Sequence, residues 1–117
     1  MRILGQRAER IAERYLSAKG LELISRNYHC RQGELDLVMM DGNELVFVEV
    51  RHRSQSSYGS ATDSIAWPKR KRLIAAANCF LADRHYGLNQ YCRFDVVSFN
   101  GKLSEANIDW IKNAFSE

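Results

Sequence analysis

The spacing of apolar residues changes several times along the chain, and each change marks an element. Between residues 6 and 19, Ala8, Ile11, Ala12, Tyr15 and Leu16 recur at i, i+3, i+4, i+7 and i+8, the period of an amphipathic helix, with Gly20 as a C-terminal cap. Residues 21–28 (LELISRNY) read as a strand and 29–33 (HCRQG) as a turn. Two β-prone runs follow, ELDLVMM over 34–40 and ELVFVEVR over 44–51. Asp41, Gly42 and Asn43 separate them, a strong hairpin signal.

The length of that hairpin loop decides which side chains meet, because a one-residue slip moves every side chain to the other face. A two-residue loop sets Asp36 opposite Phe47 and Glu34 opposite Glu49, and a four-residue loop sets Asp36 directly opposite Glu49. A three-residue loop parts the two acids. With an even loop their Cβ atoms lie within roughly 5 to 8 Å. Leu35, Leu37 and Met39 fall on the other face with Val46, Val48 and Val50. Because Val38, Leu45 and Phe47 make the acidic face apolar as well, both faces need covering. The pattern therefore predicts an α/β protein with a central sheet between helices.

Residues 54–64 (SQSSYGSATDS) are polar and read as a mobile loop. Pro68 suits the first turn of a second helix, whose stripe is Leu73, Ala76, Ala77, Phe80 and Leu81 and whose end is expected at 84–87. Residues 91–99 (YCRFDVVSF) form a further strand, closed by Asn100 and Gly101. The tail alternates through Ile108, Trp110 and Ile111 and is expected to finish in a helical turn around Ala114 and Phe115.

Composition narrows the class. The 117 residues, 45% hydrophobic and 26% charged, fit one domain spanning 1–117 with one sizeable core. No apolar run reaches the roughly 20 residues of a membrane span, and the opening MRILGQRAER lacks a signal-peptide core, so a cytoplasmic protein without membrane contact is expected. Cys30, Cys79 and Cys92 are odd in number and lack ligand spacing, and with His29, His52 and His85 scattered, neither a disulfide framework nor zinc is indicated. Net charge is +3, yet residues 51–72 hold Arg51, Arg53, Lys69, Arg70, Lys71 and Arg72 against Asp63 alone. That segment is +5 and the remainder −2.

Adjacent carboxylates repel unless a cation lies between them, and Asp and Glu oxygens with waters are the ligands that Mg²⁺ or Mn²⁺ prefers. Asp36 and Glu49 are thus candidate metal ligands. Arg51, two residues beyond Glu49, projects from the same face toward any phosphate held there, although a simple ion pair with Glu49 or Glu34 accounts for it equally well. Lys69 and Arg72 share the side of the second helix that leads to Leu73, with Arg70 and Lys71 turned outward. Four cations in the first turns oppose the helix dipole; either they form a locally unfavourable solvated cluster or a phosphate relieves the conflict, which makes Arg51, Arg53, Lys69, Arg70, Lys71 and Arg72 candidate nucleic-acid contacts. Glu9 flanks the apolar stripe of the first helix, where it either faces solvent or leans over the sheet toward the metal. Arg93 and Asp95 share a strand face and read as a structural ion pair.

The series GQRAERIAERYL, SRNYHCRQGELDLV, LVFVEVRHRS, WPKRKRLIAAANCFL and RFDVVSF resembles the YraN-like family of small uncharacterised bacterial proteins over nearly the whole chain. That family is similar in fold to the restriction-endonuclease-like PD-(D/E)xK superfamily and to archaeal Holliday junction resolvases. The resemblance implies a central mixed β-sheet flanked by helices and a Mg²⁺-dependent phosphodiesterase site. In it Glu9 resembles the helix glutamate, Asp36 the first strand aspartate and Glu49 the acid of the ExK motif. Arg51 stands where the motif usually has lysine. Arginine stays charged and holds phosphate oxygens rather than activating water, which leaves Lys69 to take over that role. The resemblance thus implies a metal-dependent endonuclease acting on branched or structured DNA, with Glu9, Asp36, Glu49, Arg51 and Lys69 as catalytic candidates. The alternative is a noncatalytic nucleic-acid-binding module on the same fold. Resolvase-like proteins act as homodimers because a junction presents two symmetric strands, but no surface stripe in this sequence identifies an interface.

Overall fold

A computed structural model describes residues 3–53 and 65–116, with Ile3, Leu4 and Arg53 described by backbone alone. The loop expected over 54–64 lies outside the described residues. Five strands form one mixed sheet in the order β1-β2-β3-β4-β5, namely β1 (Glu22–Cys30), β2 (Gly33–Asp41), β3 (Glu44–Arg53), β4 (Tyr91–Asn100) and β5 (Ile108–Phe115). Neighbours are antiparallel except β3 and β4, which run parallel. A parallel pair needs a long crossover, and α2 (Trp67–Asp83) lies within it. The expected central sheet flanked by helices is therefore present, with α1 (Ile3–Ala18) on one face and α2 on the other. No helix among the described residues is long and apolar enough to cross a membrane.

Each helix buries the stripe its sequence marks. Ala8, Ala12 and Leu16 of α1 pack with Leu37, Met39, Val46, Val48, Val97 and Phe99. On the opposite face Leu73, Ala76, Ala77 and Phe80 of α2 pack with Leu35, Val38, Leu45, Phe47, Phe94 and Val96. The end of α1 is a Schellman motif, in which Leu21 N–H donates to Leu16 O at 3.1 Å and Gly20 N–H to Ser17 O at 3.0 Å. At Gly33 a Cβ would meet the Arg72 carbonyl at 3.1 Å, so glycine lets the β1–β2 hairpin lie close under the first turns of α2.

Three expectations need correction. The turn expected over 29–33 shrinks to Arg31 and Gln32, because His29 and Cys30 pair with Glu34 and Gly33. Leu35 does not share a face with Leu37: it packs on the α2 side while Leu37 packs on the α1 side, so β2 changes the face it presents at Asp36. The helical turn expected at Ala114 and Phe115 is strand instead. There a bulge centred on Asn113, with φ +53, is held by Asp95, and Phe115 stacks on Phe94 at 4.7 Å. The only helical turn in that region is the 3-10 segment Glu105–Asn107, ahead of β5.

Candidate functional site

The β2–β3 hairpin turns on two residues, Gly42 and Asn43, with Gly42 at φ +64. The loop is even, as the acid pair requires. Its register pairs Asp41 with Glu44 and Leu37 with Val48, which sets Asp36 across from Glu49, the arrangement expected of a longer even loop. Beyond Leu37 and Val48 the ladder stops. β3 continues alongside β4 to Arg53, whereas residues 33–35 of β2 stay with β1. The two strands thus open into a fork with Asp36 at its apex. Val50 N–H, left without a β2 carbonyl, donates instead to Asp36 Oδ2 at 2.9 Å. A buried backbone donor needs a partner, and here a side chain completes the ladder.

Two further groups enter the fork from opposite layers. From α2, Lys69 Nζ lies 2.8 Å from Glu49 Oε2. From α1, Glu9 faces Asp36 and Asn27 across a shared cleft. Asn27 adopts φ +50 inside β1, a left-handed conformation that asparagine tolerates better than most residues. Gln6, Glu9, Asn27, His29, Glu34 and Asp36 line a cleft of about 360 Å³ on this side. A larger groove, about 510 Å³, lies between the end of α2 and β4, but no carboxylate or cation lines it.

Glu9, Asp36, Glu49 and Lys69 together carry −2 when fully ionised, in a partly dry setting. Burial, and then repulsion from Asp36, pushes both Glu9 and Glu49 from 4.5 up to about 7. Burial also raises Asp36, opposed by its hydrogen bonds from Val50 N–H and Glu49 and by the Lys69 charge. A group of acids that resists ionisation in this way is short of positive charge. The donor set is all oxygen and suits Mg²⁺ or Mn²⁺, which commonly keep most of their waters and use one or two protein carboxylates. It is not a closed cage: among the described residues no group of three or more His, Cys, Asp or Glu is arranged to hold a metal. Asp36 and Glu49 are the pair that fits.

The other candidates divide. Arg51 lies two residues beyond Glu49 on β3, half-buried, with its backbone paired to Ser98. Glu34 pairs with His29 at 3.0 Å. Lys71 and Arg72 are exposed on α2 just beyond Lys69, whereas Arg70, expected to point outward, folds back. Its Nε donates to Ile65 O at 2.7 Å, and its guanidinium lies 5.6 Å from the Phe115 ring, so it secures the start of α2. The side chain of Arg53 lies outside the described residues. Sequence reasoning missed Asn27, although an asparagine inside a strand, where it is disfavoured, was a usable signal. Arg93 and Asp95 do form the expected ion pair, at 3.0 Å.

The molecule is an α/β protein whose sheet, sandwiched by helices, carries an acid-lined strand fork with a lysine reaching into it. The chain belongs to the uncharacterised protein family UPF0102, whose model matches residues 8–99 and so covers all four residues of the fork. UPF0102 proteins of Nitrosococcus oceani and Pseudomonas putida are 49% and 50% identical to it over 111 and 113 residues, covering 95% of this chain and 90% and 91% of theirs. One from Aeromonas hydrophila is 46% identical over 114 residues, 95% of this chain and 83% of its own.

Proposed function

We propose that the fork is the divalent-metal site of a nucleic-acid phosphodiesterase, an endonuclease-type hydrolase of restriction-endonuclease-like kind, similar to archaeal Holliday junction resolvases and directed at DNA, branched or otherwise structured. The observation that carries this reading is the convergence of Glu9, Asp36 and Glu49 from three separate elements, with the Lys69 ammonium placed against Glu49. In this reading Asp36 and Glu49 hold Mg²⁺ or Mn²⁺, and Glu9 assists directly or through water. The ion supplies Lewis acidity toward a phosphate oxygen and a water of lowered pKa. Lys69, 2.8 Å from Glu49, supplies from α2 the lysine that β3 lacks at Arg51. A guanidinium at position 51 is suited to binding phosphate oxygens, not to moving protons. Lys71 and Arg72 extend the cationic surface along the substrate backbone.

Calorimetric titration with Mg²⁺ and Mn²⁺, then cleavage assays on linear, single-stranded and branched DNA, test the reading. Wild type should bind the ion and cut, and Asp36→Ala should lose both. The arginine at position 51 favours one competing reading, a noncatalytic nucleic-acid-binding module. Salt-sensitive DNA binding by wild type with no cleavage of any substrate would select it, and cleavage gained in Arg51→Lys would identify that arginine as the cause.

A further inference from the structure

The first helix carries two acids and three arginines within eight residues, Arg7 to Arg14, and the fold sorts them by sign. Both acids are turned toward the sheet and engaged. Glu13 forms a two-point pair with Arg26, at 2.6 and 2.9 Å, and Glu9 reaches Asp36 in the fork. Arg7, Arg10 and Arg14 are all exposed and line one shallow groove on the outer face of the helix. At 3.6 residues per turn they fall within about 60° of one another and span about 10 Å of helix. None of the three pairs with a carboxylate among the described residues.

Like charges at this spacing destabilise a helix by a few tenths of a kcal/mol per pair unless an anion offsets them. From these positions we infer that Arg7, Arg10 and Arg14 form a phosphate rail on which one strand of a nucleic-acid backbone lies as it approaches the fork. Guanidinium groups suit phosphate because they offer paired donors in a fixed plane. A row of anions repeating along a polymer matches a row of cations repeating along a helix. The rail lies on the outer face of α1, in the layer opposite α2, and its groove shares Gln6 with the cleft that Glu9 and Asp36 line, so the substrate meets cations on both sides of the sheet while the acids stay inside. This rests on the proposed nucleic-acid reading of the fork and adds the path the backbone takes.

The test compares Arg7→Gln/Arg10→Gln/Arg14→Gln with Lys19→Gln/Lys102→Gln/Lys112→Gln, which removes the same three charges from exposed sites elsewhere. Glutamine is nearly as good a helix former as arginine, and circular dichroism checks that both variants fold. Binding to labelled single-stranded and branched DNA is measured without divalent ions, so that no cleavage intervenes. The arginine variant should lose at least tenfold in affinity at about 100 mM salt, and its plot of log K against log salt should flatten by about 2 to 3, whereas the lysine variant changes little. Equal losses in the two variants would overturn the rail while leaving the fork reading standing. Wild-type protein that binds no nucleic acid would overturn both. Loss of binding to phosphatidylserine vesicles in the arginine variant alone, with DNA binding intact, would reassign the stripe to a membrane surface.

Discussion

Among the described residues, the Arg93 cluster and the fork each bring three carboxylates together with a basic side chain, and they resolve the same charge problem differently. At the start of β3 and β4, Arg93 contacts Asp41 at 3.0 Å, Glu44 at 2.9 Å and Asp95 at 3.0 Å. Asp95, fully buried, also accepts from Trp110 Nε1 and Asn113 N–H, each at 2.9 Å. Burial works against the Arg93 charge, but hydrogen bonds to Asp95, Glu44 and Asp41 outweigh it and push its pKa further up. In the fork, by contrast, Lys69 contacts Glu49, and Glu9 and Asp36 are left to face each other. The planar donors of Arg93 reach three acids at once, whereas the Lys69 ammonium, at the end of a flexible stem, is placed against Glu49. The first knot is a finished structural element. The second is left short of a cation.

Breaking the knot should have the largest effect. Asp95→Ala leaves Arg93, Trp110 Nε1 and Asn113 N–H without their acceptor in a buried position, and unfolding in urea should show a loss of about 3 to 5 kcal/mol. A loss below 1 kcal/mol would mean that the knot is not the structural element described. Next comes the pH dependence of wild type in the absence of divalent ions. Glu9 and Glu49 rise from 4.5 to about 7 on folding, so the native state binds more protons than the unfolded chain across that window. Stability is therefore fully present below pH 4.5, falls as pH climbs through 7 and levels off above it. With Glu9 left out for its solvent exposure, Glu49 alone accounts for a fall of about 3 kcal/mol. Saturating Mg²⁺ should offset much of it, by about 2.7 kcal/mol at a hundredfold excess over Kd. A flat profile that ignores Mg²⁺ would remove the contrast between the two acid groups.

Glu49→Gln sharpens the same point within one residue. Glutamine keeps the shape, accepts from Lys69 and donates to Asp36, but carries no charge. At pH 8 the variant should be more stable than wild type by about 2 kcal/mol and should fail to bind Mg²⁺. At pH 5, where Glu49 is mostly protonated in wild type, the gain should vanish. An equal gain at both values would trace it to packing instead of charge.

How much of this was legible in the sequence follows from which interactions are local. Helix periods, the alternation of β2 and β3 and the turn at Gly42 are set by neighbours in the chain, and they sufficed to bring Asp36 and Glu49 together. The two-residue turn with the longer-loop register was not legible, because Asp41 and Glu44 both read as loop or strand edge until their pairing is seen. Nor was the change of face at Asp36, since alternation extrapolates a regular strand and the fork breaks it. The end of the final strand, Ala114 and Phe115, was missed for the same reason. What holds Asn113 in its bulge is Asp95, 18 residues away in sequence, and no local pattern reports that bond. Long-range contacts likewise separated Arg70, which lies over the Phe115 ring, from Lys69, which reaches Glu49.

The smallest expected effect concerns Lys69 itself. Its side chain is 46% exposed, so its attraction to Glu49 is screened on one side, and Lys69→Met should cost about 0.5 to 1 kcal/mol at pH 8. At pH 5 the cost should shrink, because a protonated Glu49 needs no counter-charge. Lys69→Arg separates a structural role from a chemical one. A guanidinium restores the ion pair and hence the stability, but it does not give up a proton near neutral pH. If Lys69 serves only to balance Glu49, Lys69→Arg matches wild type in stability, Mg²⁺ binding and DNA cleavage alike. If it stands in for the lysine that Arg51 displaces, Lys69→Arg keeps stability and ion binding but loses cleavage, most clearly as a fall in kcat with little change in KM.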